Sequence, residues 1–369
     1  MKIVFVSDTI YPHMHGGKEK RLYELSTRLA KHGHDIHIYT MHWWDDAAKT
    51  HHESGVTLHA ICKKYEMYNG DRRSIKEGIM FGLACFKLFG VKFDVLDVDH
   101  MPFFPILTAW VVCTVRHKRF YGTWHEALTR KEWVDYMGVG GNIAAIIERI
   151  CIRLPYSVIA ASRLTEGRVK IILGRSNRIS MIPSGIDSHS METITPARKR
   201  VDVLAVSRLV KDKNVDVLIR AVALLKEERP NISCVIIGHG PERQRIARLI
   251  TKHSLKKNVT VLEKLPSVYP YMKAANVFCS PSSREGFGIV TLEALACNTP
   301  VVTVAEPTNA ASMLIKPGKN GSVVALDEKD LAGAIGYWLH ESKSAEISKT
   351  VSRYDWEVLV KKQHKVYAS

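Results

Sequence analysis

The chain repeats one strand-and-helix layout twice, and this repetition limits its fold more than any other feature. In the first half, the apolar strand 3–7 (IVFVS) is followed by a loop, a helix ended by Gly33, and the strand 35–40. Further strands are predicted at residues 93–98 and 157–161. Strands that alternate with helices form a parallel sheet covered on both faces, so a doubly wound α/β domain is predicted.

The same layout restarts after a polar segment without apolar periodicity. PSGID at 183–187 is followed by SHSMETITPARKR, and the next buried strand begins at residue 201. We therefore expect domains at residues 1–187 and 201–354, joined by a linker at 188–200. The strands predicted in the second domain lie at residues 201–207, 233–238, 259–263, 276–281, 300–304 and 321–326.

One loop at the carboxyl end of a predicted strand stands out, because open parallel sheets bind ligands there. In SREGFGIVTLEALACNTPVV (283–302), Gly286 and Gly288 permit a tight turn before a helix whose first N–H groups suit a phosphate. Glu285 and Glu293 lie around this turn, where carboxylates are suited to sugar hydroxyls. The pattern predicts a sugar nucleotide; the alternative is a helix-capping Glu285 and a solvated Glu293.

Two cations follow the first strand of the second domain. Arg208 comes directly after this strand and Lys213 begins the next helix, so both are expected at the same strand-end crevice. There they would neutralise a diphosphate, unless they are solvated surface charges. Gly238-His239-Gly240 ends the next strand but lacks the third glycine of a dinucleotide-binding fingerprint.

The composition limits the partners and the compartment. A net charge of +16 and a pI near 9.5 indicate an anionic partner, whether nucleic acid, lipid headgroups or a phosphorylated small molecule. Seven cysteines without a C-x-x-C pair favour reduced thiols. MKIVFVSDTI has the pattern of a buried strand rather than of a secretory signal, and the longest apolar run (102–115) is too short to cross a bilayer. We therefore expect a cytoplasmic protein, with the apolar run as a buried helix.

These segments together resemble the retaining glycosyltransferases of family 4, or glycosyl transferases group 1, which have the GT-B fold. The resemblance covers nearly the whole chain, and its most specific element is E-x7-E after a basic strand exit. It is carried by YPHMHGGKEKRLYEL, GHDIHIYT, VIAASRLT, IPSGID, SRLVKDKNVDVLI, IIGHGPE, SPSSREGFGIVTLEALACNTPVV and YDWEVLVKKQHKVY. It implies two Rossmann-like domains facing across a cleft, with a last helix (355–369) packed on the first domain.

The resemblance also implies roles for single residues. Glu285 would contact the donor sugar and affect catalysis, whereas Glu293 would contact the ribose and affect donor affinity. The candidate catalytic residues are Glu285, His125, Arg208 and Lys213. The candidate donor-binding residues are Gly16, Gly17, Arg208, Lys213, Glu285, Gly286, Phe287, Gly288, Ile289, Val290 and Glu293. Purely structural roles are the alternative for His125 and for the Gly16-Gly17 turn.

Some positions depart from the family pattern. Ser207 and Asn298 stand where the family often has glycine. AEPTNAASMLIKPGKNG (305–321) lacks the usual Gly-Gly-Pro-Glu-like run, so no donor contact is assigned to it. Base choice is expected to depend on the backbone near Lys264 and Leu265.

Asp97-Val98-Asp99 is a D-x-D, the element by which another class of glycosyltransferases binds a divalent metal on the donor diphosphate. It ends a strand of the first half, far in sequence from the nucleotide elements, where Arg208 and Lys213 already supply positive charge. We therefore expect metal-independent transfer with no metal site and no cofactor, the donor being a UDP or GDP sugar.

The acceptor side is predicted from residues 123–155. This segment mixes Trp124, Trp133 and Tyr136 with basic residues around an apolar stretch, which suits a lipid-headgroup interface as well as a core helix with a basic outer face. We expect a lipid-linked or glycan acceptor at an anionic membrane surface, with the protein peripheral on its cytoplasmic face. A GT-B sugar-nucleotide hydrolase or epimerase is one alternative. A nucleic-acid-binding protein is another, although no such module is recognised.

Overall fold

The two series of strands form two large, separate sheets in the computed structural model, which describes residues 1–69, 72–174, 178–263, 265–341, 344 and 346–369. One unit consists of Met1–Ser184 together with Trp356–Ser369, and the other of Gly185–Asp355. The predicted α/β class is confirmed in both units. Lys264, which the sequence connects with base choice, lies outside the described residues.

The first unit is built on a mostly parallel sheet. Its strands are β1 (Lys2–Val6), β2 (Asp35–Met41), β3 (Thr50–Glu53), β4 (Val56–Cys62), β5 (Tyr68–Asn69), β6 (Arg72–Arg73), β7 (Val95–Asp99), β8 (Tyr121–Trp124), β9 (Ser157–Ala160) and β10 (Ile179–Met181). Within the described residues, eight of them form one sheet in the order β10-β9-β8-β7-β1-β2-β4-β3, where only β3 and β4 pair antiparallel. The carboxyl ends of the neighbours β1, β7 and β8 therefore meet at one edge.

Helices cover this sheet, and three of them begin with a side-chain cap. They are α1 (Gly17–Lys31), α2 (Ile75–Ala84), α3 (Phe104–Val115), α4 (Arg130–Met137), α5 (Gly141–Cys151) and α6 (Arg163–Leu173), with 3₁₀ turns at Cys85–Gly90 and Gly138–Gly140. Side chains of Ser74 and Ser162 accept hydrogen bonds from the first turns of α2 and α6. Thr129 and Glu132 form a reciprocal capping box on α4.

The second unit has a fully parallel main sheet. Its strands are β11 (Val201–Val206), β12 (Cys234–Ile237), β13 (Val259–Leu262), β14 (Ala275–Ser280), β15 (Arg284–Glu285), β16 (Val301–Val304), β17 (Thr308–Asn309) and β18 (Gly321–Val324). The order is β13-β12-β11-β14-β16-β18, while β15 and β17 form a separate parallel pair.

The helices of the second unit lie between these strands. They are α7 (Ser188–Thr193), α8 (Val215–Glu228), α9 (Arg243–Lys252), α10 (Tyr269–Ala274), α11 (Ile289–Ala296) and α12 (Glu328–His340), with 3₁₀ turns at Lys211–Lys213, Ala310–Leu314 and Ser348–Tyr354. The helix α7 lies inside the polar segment 188–200, which has no apolar periodicity. The side chain of Asp187 stabilises it by capping its first turn.

The edge strand β3 and its neighbour β4 are not predicted by the sequence analysis. Residues 56–62 (VTLHAIC) begin with the apolar–polar alternation of a half-buried strand, and Val56 and Leu58 are buried as that period requires. The alternation that indicates β4 was therefore present in the sequence.

The last helix, α13 (Trp356–Ala368), packs in the first unit. The hydroxyl of Tyr367 donates to Asp97 Oδ2 at 2.5 Å, and Asp97 is buried at the centre of the sheet. The hydroxyl of Tyr121 donates to the carbonyl of Val366 at 3.0 Å. These bonds join the carboxyl-terminal helix to β7 and β8.

The longest apolar run forms α3. Ile106, Ala109 and Val112 are buried, as predicted, but Trp110 on the same helix is exposed. In the described ranges, each helix is too short or too polar to cross a bilayer.

Trp124 and Trp133 are core residues, so for these two rings the core alternative applies and not the lipid interface. Trp124 ends the strand β8 and is fully buried. Trp133 belongs to α4, and its side chain is buried and donates through Nε1 to Glu148 Oε2 at 2.6 Å. Both rings are buried because they fill the space between the sheet and its helices. The apolar surface of this region comes instead from α5.

The carboxyl group of Glu148 is buried under α5. Burial raises its pKa to about 7, although the hydrogen bonds from Trp133 Nε1 and the N–H of Leu128 oppose the shift. An unfolded glutamate loses its proton near its ordinary pKa of 4.5, so the folded state binds more protons between about pH 4.5 and pH 7. The stability contribution of this group is therefore lost as the pH rises through that window.

Candidate active site

The turn between β14 and α11 is shaped by glycine. Gly288 precedes the helix with φ +88°, and a Cβ atom there would lie 2.3 Å from Ala311 Cβ. The left-handed backbone and the close approach both favour glycine at this position. The first N–H groups of α11, at Ile289 and Val290, have no acceptor inside the helix and form a place where an anion fits. Phe287 is buried with its ring 5.7 Å from that of Tyr354, which anchors the turn together with the half-buried Gly286.

Glu285 is held by Lys213, so the structure brings these two predicted residues together. Lys213 Nζ donates to Glu285 Oε1 and to the carbonyl of Arg284, each at 2.9 Å. Lys213 is buried at the end of its 3₁₀ turn and Glu285 is half-buried. A charge-assisted bond between two shielded groups fixes the position of both side chains at the glycine turn.

Glu293 lies deeper in the same helix. It is buried, and its Oε1 accepts a hydrogen bond from the hydroxyl of Tyr269 at 2.9 Å. Tyr269 belongs to α10 and escaped the sequence analysis, because no local spacing connects it to Glu293. A tyrosine followed by proline at a helix start was the only available signal.

Arg208 comes directly after β11, as predicted, and its side chain is exposed. The loop that contains it is joined to the loop after β12, because the N–H of Leu209 donates to the carbonyl of His239 at 2.8 Å. A Cβ atom on Gly238 would lie 1.9 Å from the carbonyl oxygen of Ser207. The Gly-His-Gly sequence therefore allows close packing of two strand-end loops.

The loop 305–314, to which the sequence assigns no donor contact, supports the Glu285 turn. Its strand β17 pairs with β15, so that Glu285 lies opposite Asn309. The hydroxyl of Thr308 donates to the carbonyl of Ser283 at 2.5 Å. Paired small residues, Ala310-Ala311, were the sequence signal for this close packing.

In the first unit, Gly16 and Gly17 lie at the start of α1. Gly16 is the N-cap and Gly17 is the first helical residue. A Cβ atom on Gly16 would lie 2.2 Å from Glu19 Oε2, so glycine leaves room for Glu19 to fold back. Glu19 Oε1 accepts a hydrogen bond from Thr9 Oγ1 at 2.5 Å, which connects α1 to the loop after β1.

His125 follows β8 and contacts a carboxylate. Its Nε2 lies 2.8 Å from Asp99 Oδ1, and Lys18 Nζ lies 3.8 Å from Asp99 Oδ2. Burial would raise the pKa of Asp99, but the charges of His125 and Lys18 outweigh it and hold that pKa well below its ordinary value. An ionised carboxylate only accepts hydrogen bonds, so the Nε2 N–H of His125 donates to Asp99. Asp99 and Lys18 thus connect His125 to the start of α1.

A second cluster, centred on Asp8, escaped the sequence analysis. Asp8 follows β1, is fully buried, and is contacted by both Lys18 and Arg73. Burial raises the pKa of Asp8, but the charges of Lys18 and Arg73 outweigh it and lower that pKa. Burial and the charge of Asp8 raise the pKa of Glu77 to about 7, against the charge of Arg73 at 3.1 Å. The available signal was the position of Asp8 at the carboxyl end of a buried strand.

The two aspartates of the D-x-D sequence bind protein groups. Asp97 accepts hydrogen bonds from Tyr367 and from Thr123 Oγ1, whereas Asp99 faces His125. Burial raises the pKa of Asp97, although both hydrogen bonds lower it. Across the described ranges, no three His, Cys, Asp or Glu side chains are grouped so as to hold a metal ion.

Two families match the chain in succession. Residues 15–190 match Glycosyltransferase Family 4, and residues 190–353 match Glycosyl transferases group 1. A GDP-mannose-dependent alpha-(1-6)-phosphatidylinositol monomannoside mannosyltransferase of Mycolicibacterium smegmatis is 29% identical over 52% of the chain, and the match spans about half (55%) of that enzyme. The phosphatidylinositol N-acetylglucosaminyltransferase gpi3 subunit of Schizosaccharomyces pombe is 22% identical over 99% of the chain and 80% of its own length.

Solved structures resemble the whole chain. Sucrose-phosphate synthase of Thermosynechococcus elongatus superposes with a TM-score of 0.79 at 19% identity, covering 100% of this chain and 98% of the other. Anabaena HepE, solved in complex with UDP and glucose, gives a TM-score of 0.76 at 18% identity and covers 100% of both chains. At these identities the likeness concerns the fold.

Proposed function

Because this chain belongs to the GT-B glycosyltransferases of family 4, we propose that it moves a sugar from a UDP or GDP sugar to an acceptor hydroxyl, with retention and without a metal ion. The observation that carries the proposal is the pairing of Lys213 with Glu285 beside the glycine turn at the start of α11. A carboxylate held by a cation next to a helix N-terminus offers acceptors for sugar hydroxyls and donors for phosphate in one place.

In the proposed reaction, the acceptor oxygen bonds to the anomeric carbon on the face from which the donor phosphate departs. The departing phosphate oxygen takes the acceptor proton, so nucleoside diphosphate leaves while the new glycosidic bond forms. Arg208, Lys213 and the first N–H groups of α11 stabilise the charge that develops on this phosphate. Glu285 orients the transferred sugar, and Glu293, held by Tyr269, binds the ribose.

The proposed acceptor is a lipid-linked or glycan hydroxyl bound by the first unit. Asp8, Asp99 and His125 lie at the carboxyl ends of the neighbouring strands β1, β7 and β8. The partly exposed Lys18, Arg73 and His125, which contact the two aspartates, offer hydrogen-bonding groups to a polyhydroxy headgroup. Two relatives carry phosphatidylinositol in their names, which supports a lipid acceptor here. Seven free cysteines are consistent with a protein on the cytoplasmic face of a membrane.

The test is a panel of UDP and GDP sugars incubated with the protein, with and without lipid and glycan acceptors. Nucleoside diphosphate released only in the presence of an acceptor, with the donor's anomeric configuration in the product and no effect of a chelator, is the expected result. Release without any acceptor would favour a sugar-nucleotide hydrolase, and inversion or chelator sensitivity would overturn the corresponding part of the proposal.

Two variants test the diphosphate site directly. Arg208→Ala and Lys213→Ala should each lower turnover by about 10²–10³-fold, because each removes a group that stabilises the leaving charge. Lys211→Ala, an exposed lysine of the same 3₁₀ turn, is the matched control and should transfer normally. Near-normal turnover in either test variant, with the fold intact by circular dichroism, would remove that residue from the mechanism.

A further inference from the structure

The outer face of α5 carries a continuous aliphatic stripe. Val139 is 88% exposed, and the isoleucines at positions 143, 146 and 150 are 50–65% exposed. Val139 belongs to the 3₁₀ turn directly before the helix, and the spacing of the three isoleucines places them on one side of it. The opposite side of α5 packs closely on α4, since a Cβ atom on Gly141 would lie 2.1 Å from the carbonyl oxygen of Trp133. The stripe is thus a fixed feature of a well-packed helix.

A second apolar stripe runs along α2 and the 3₁₀ turn that follows it. Six large apolar side chains are 37–58% exposed there: Ile75, Ile79, Met80, Leu83, Phe86 and Phe89. The inner side of α2 is packed against the start of α3, because a Cβ atom on Gly82 would lie 2.4 Å from Phe104 Cβ. The outward direction of this stripe is therefore also fixed.

The two stripes belong to neighbouring parts of the first unit. The N–H of Arg73, just before α2, donates to the hydroxyl of Tyr136 on α4 at 3.1 Å, and α4 packs on α5. The guanidinium of Arg73 also contacts Asp8. The start of α2 is therefore joined to the polar cluster at the carboxyl ends of the strands, and α5 is connected to it through α4.

The charges around the stripes favour one kind of partner. In residues 74–90 and 139–153, all of them described, the exposed charged side chains are Lys76, Lys87, Arg149 and Arg153. The carboxylates of these segments, Glu77 and Glu148, are buried. Two copies of the chain would bring like charges together, whereas an anionic lipid surface pairs with cations and accepts aliphatic side chains below its headgroups.

We propose that the α2 and α5 stripes together dock the first unit on an anionic lipid bilayer, which brings the Asp8 and Asp99 cluster to the headgroup layer. The inference rests on the proposed function only for the identity of the acceptor, since docking itself requires no transfer.

The test is flotation of the full-length protein with phosphatidylcholine vesicles, with and without phosphatidylglycerol, at physiological salt of about 0.15 M. The variant Ile143→Ser/Ile146→Ser removes two of the four apolar side chains of one stripe, and Ile79→Ser/Leu83→Ser removes two of the six of the other. Each should lower the partition coefficient on anionic vesicles at least about tenfold, because each loses several buried methylene groups. The matched control is Ile171→Ser/Val358→Ser, which changes two exposed aliphatic residues on α6 and α13 and should bind like the wild type.

Three results would overturn the inference. These are a wild type that stays unbound on anionic vesicles, stripe variants that bind as well as the control, and concentration-dependent dimers in size exclusion that the stripe variants abolish. The last result would assign the surface to a second copy of the chain. Calorimetric measurement of nucleotide binding without vesicles separates the docking hypothesis from the proposed glycosyl transfer. If the protein binds UDP or GDP but does not float with the vesicles, only the docking surface is contradicted.

Discussion

Replacing Gly288 by alanine tests whether the turn before α11 is as constrained as its geometry indicates. Gly288 combines a left-handed backbone, φ +88°, with a Cβ position 2.3 Å from Ala311 Cβ. Gly318 in the same unit has φ +73° but open space around its Cβ position. The pair therefore separates backbone strain from steric overlap.

The expected losses in the free energy of unfolding follow from backbone strain and steric overlap. Alanine in the left-handed region costs about 1–2 kcal/mol, so Gly318→Ala should lower the free energy of unfolding by about that amount. Gly288→Ala adds overpacking worth about 1–3 kcal/mol, giving a total loss of about 2–5 kcal/mol. An ordinary contact needs 3.4 Å or more, so the turn or the Ala311 loop must move by about 1 Å. A displacement of that size next to reacting groups lowers transfer about a hundredfold.

Three quantities are measured on both variants. Denaturant unfolding gives the free energy of unfolding, calorimetric titration with UDP or GDP gives the nucleotide affinity, and initial rates give the speed of transfer. Gly318→Ala should keep the nucleotide affinity and the transfer rate of the wild type. If Gly288→Ala were no less stable than Gly318→Ala and transferred sugar at the wild-type rate, the turn would be neither tightly packed nor part of the site.

Glu148→Gln should flatten the pH dependence of stability, because the raised pKa of Glu148 removes up to about 3 kcal/mol of unfolding free energy as the pH rises from about 4.5 to about 7. Urea unfolding of both proteins at about pH 5 and about pH 8 measures this, and equal pH dependence would refute it. Tyr269→Phe removes the hydrogen bond to Glu293 and should weaken nucleotide binding about fivefold, whereas Tyr271→Phe on the same helix should bind normally. A wild-type dissociation constant for Tyr269→Phe would show that Glu293 needs no such support.

The sequence predicts those features of the fold that depend on local patterns. The strand ending at Ser280, the glycine turn and the helix from Ile289 are each encoded by consecutive residues, and the structure has them where they were expected. Lys213 and Glu285 are far apart in the chain, yet each marks the carboxyl end of a parallel strand, and strand ends meet at one edge.

Contacts between distant segments could not be predicted from local sequence patterns. Nothing local connects Asp8 to Arg73, because Asp8 follows β1 of the main sheet and Arg73 ends β6, which belongs to a separate strand pair. Composition likewise left Trp133 between a lipid interface and the core, whereas the side of α4 on which it lies is decided by packing against Glu148 and Phe103.

The return of α13 to the first unit sets the order in which the chain can fold during synthesis. Trp356, Leu359, Val360 and Tyr367 belong to the buried core of that unit, but they leave the ribosome after all of Gly185–Asp355. At about 5–20 residues per second, the first unit waits roughly 10–30 seconds with part of its core missing. The second unit, which is continuous in sequence, can complete its core first, so the amino-terminal half of this protein is the last to finish folding.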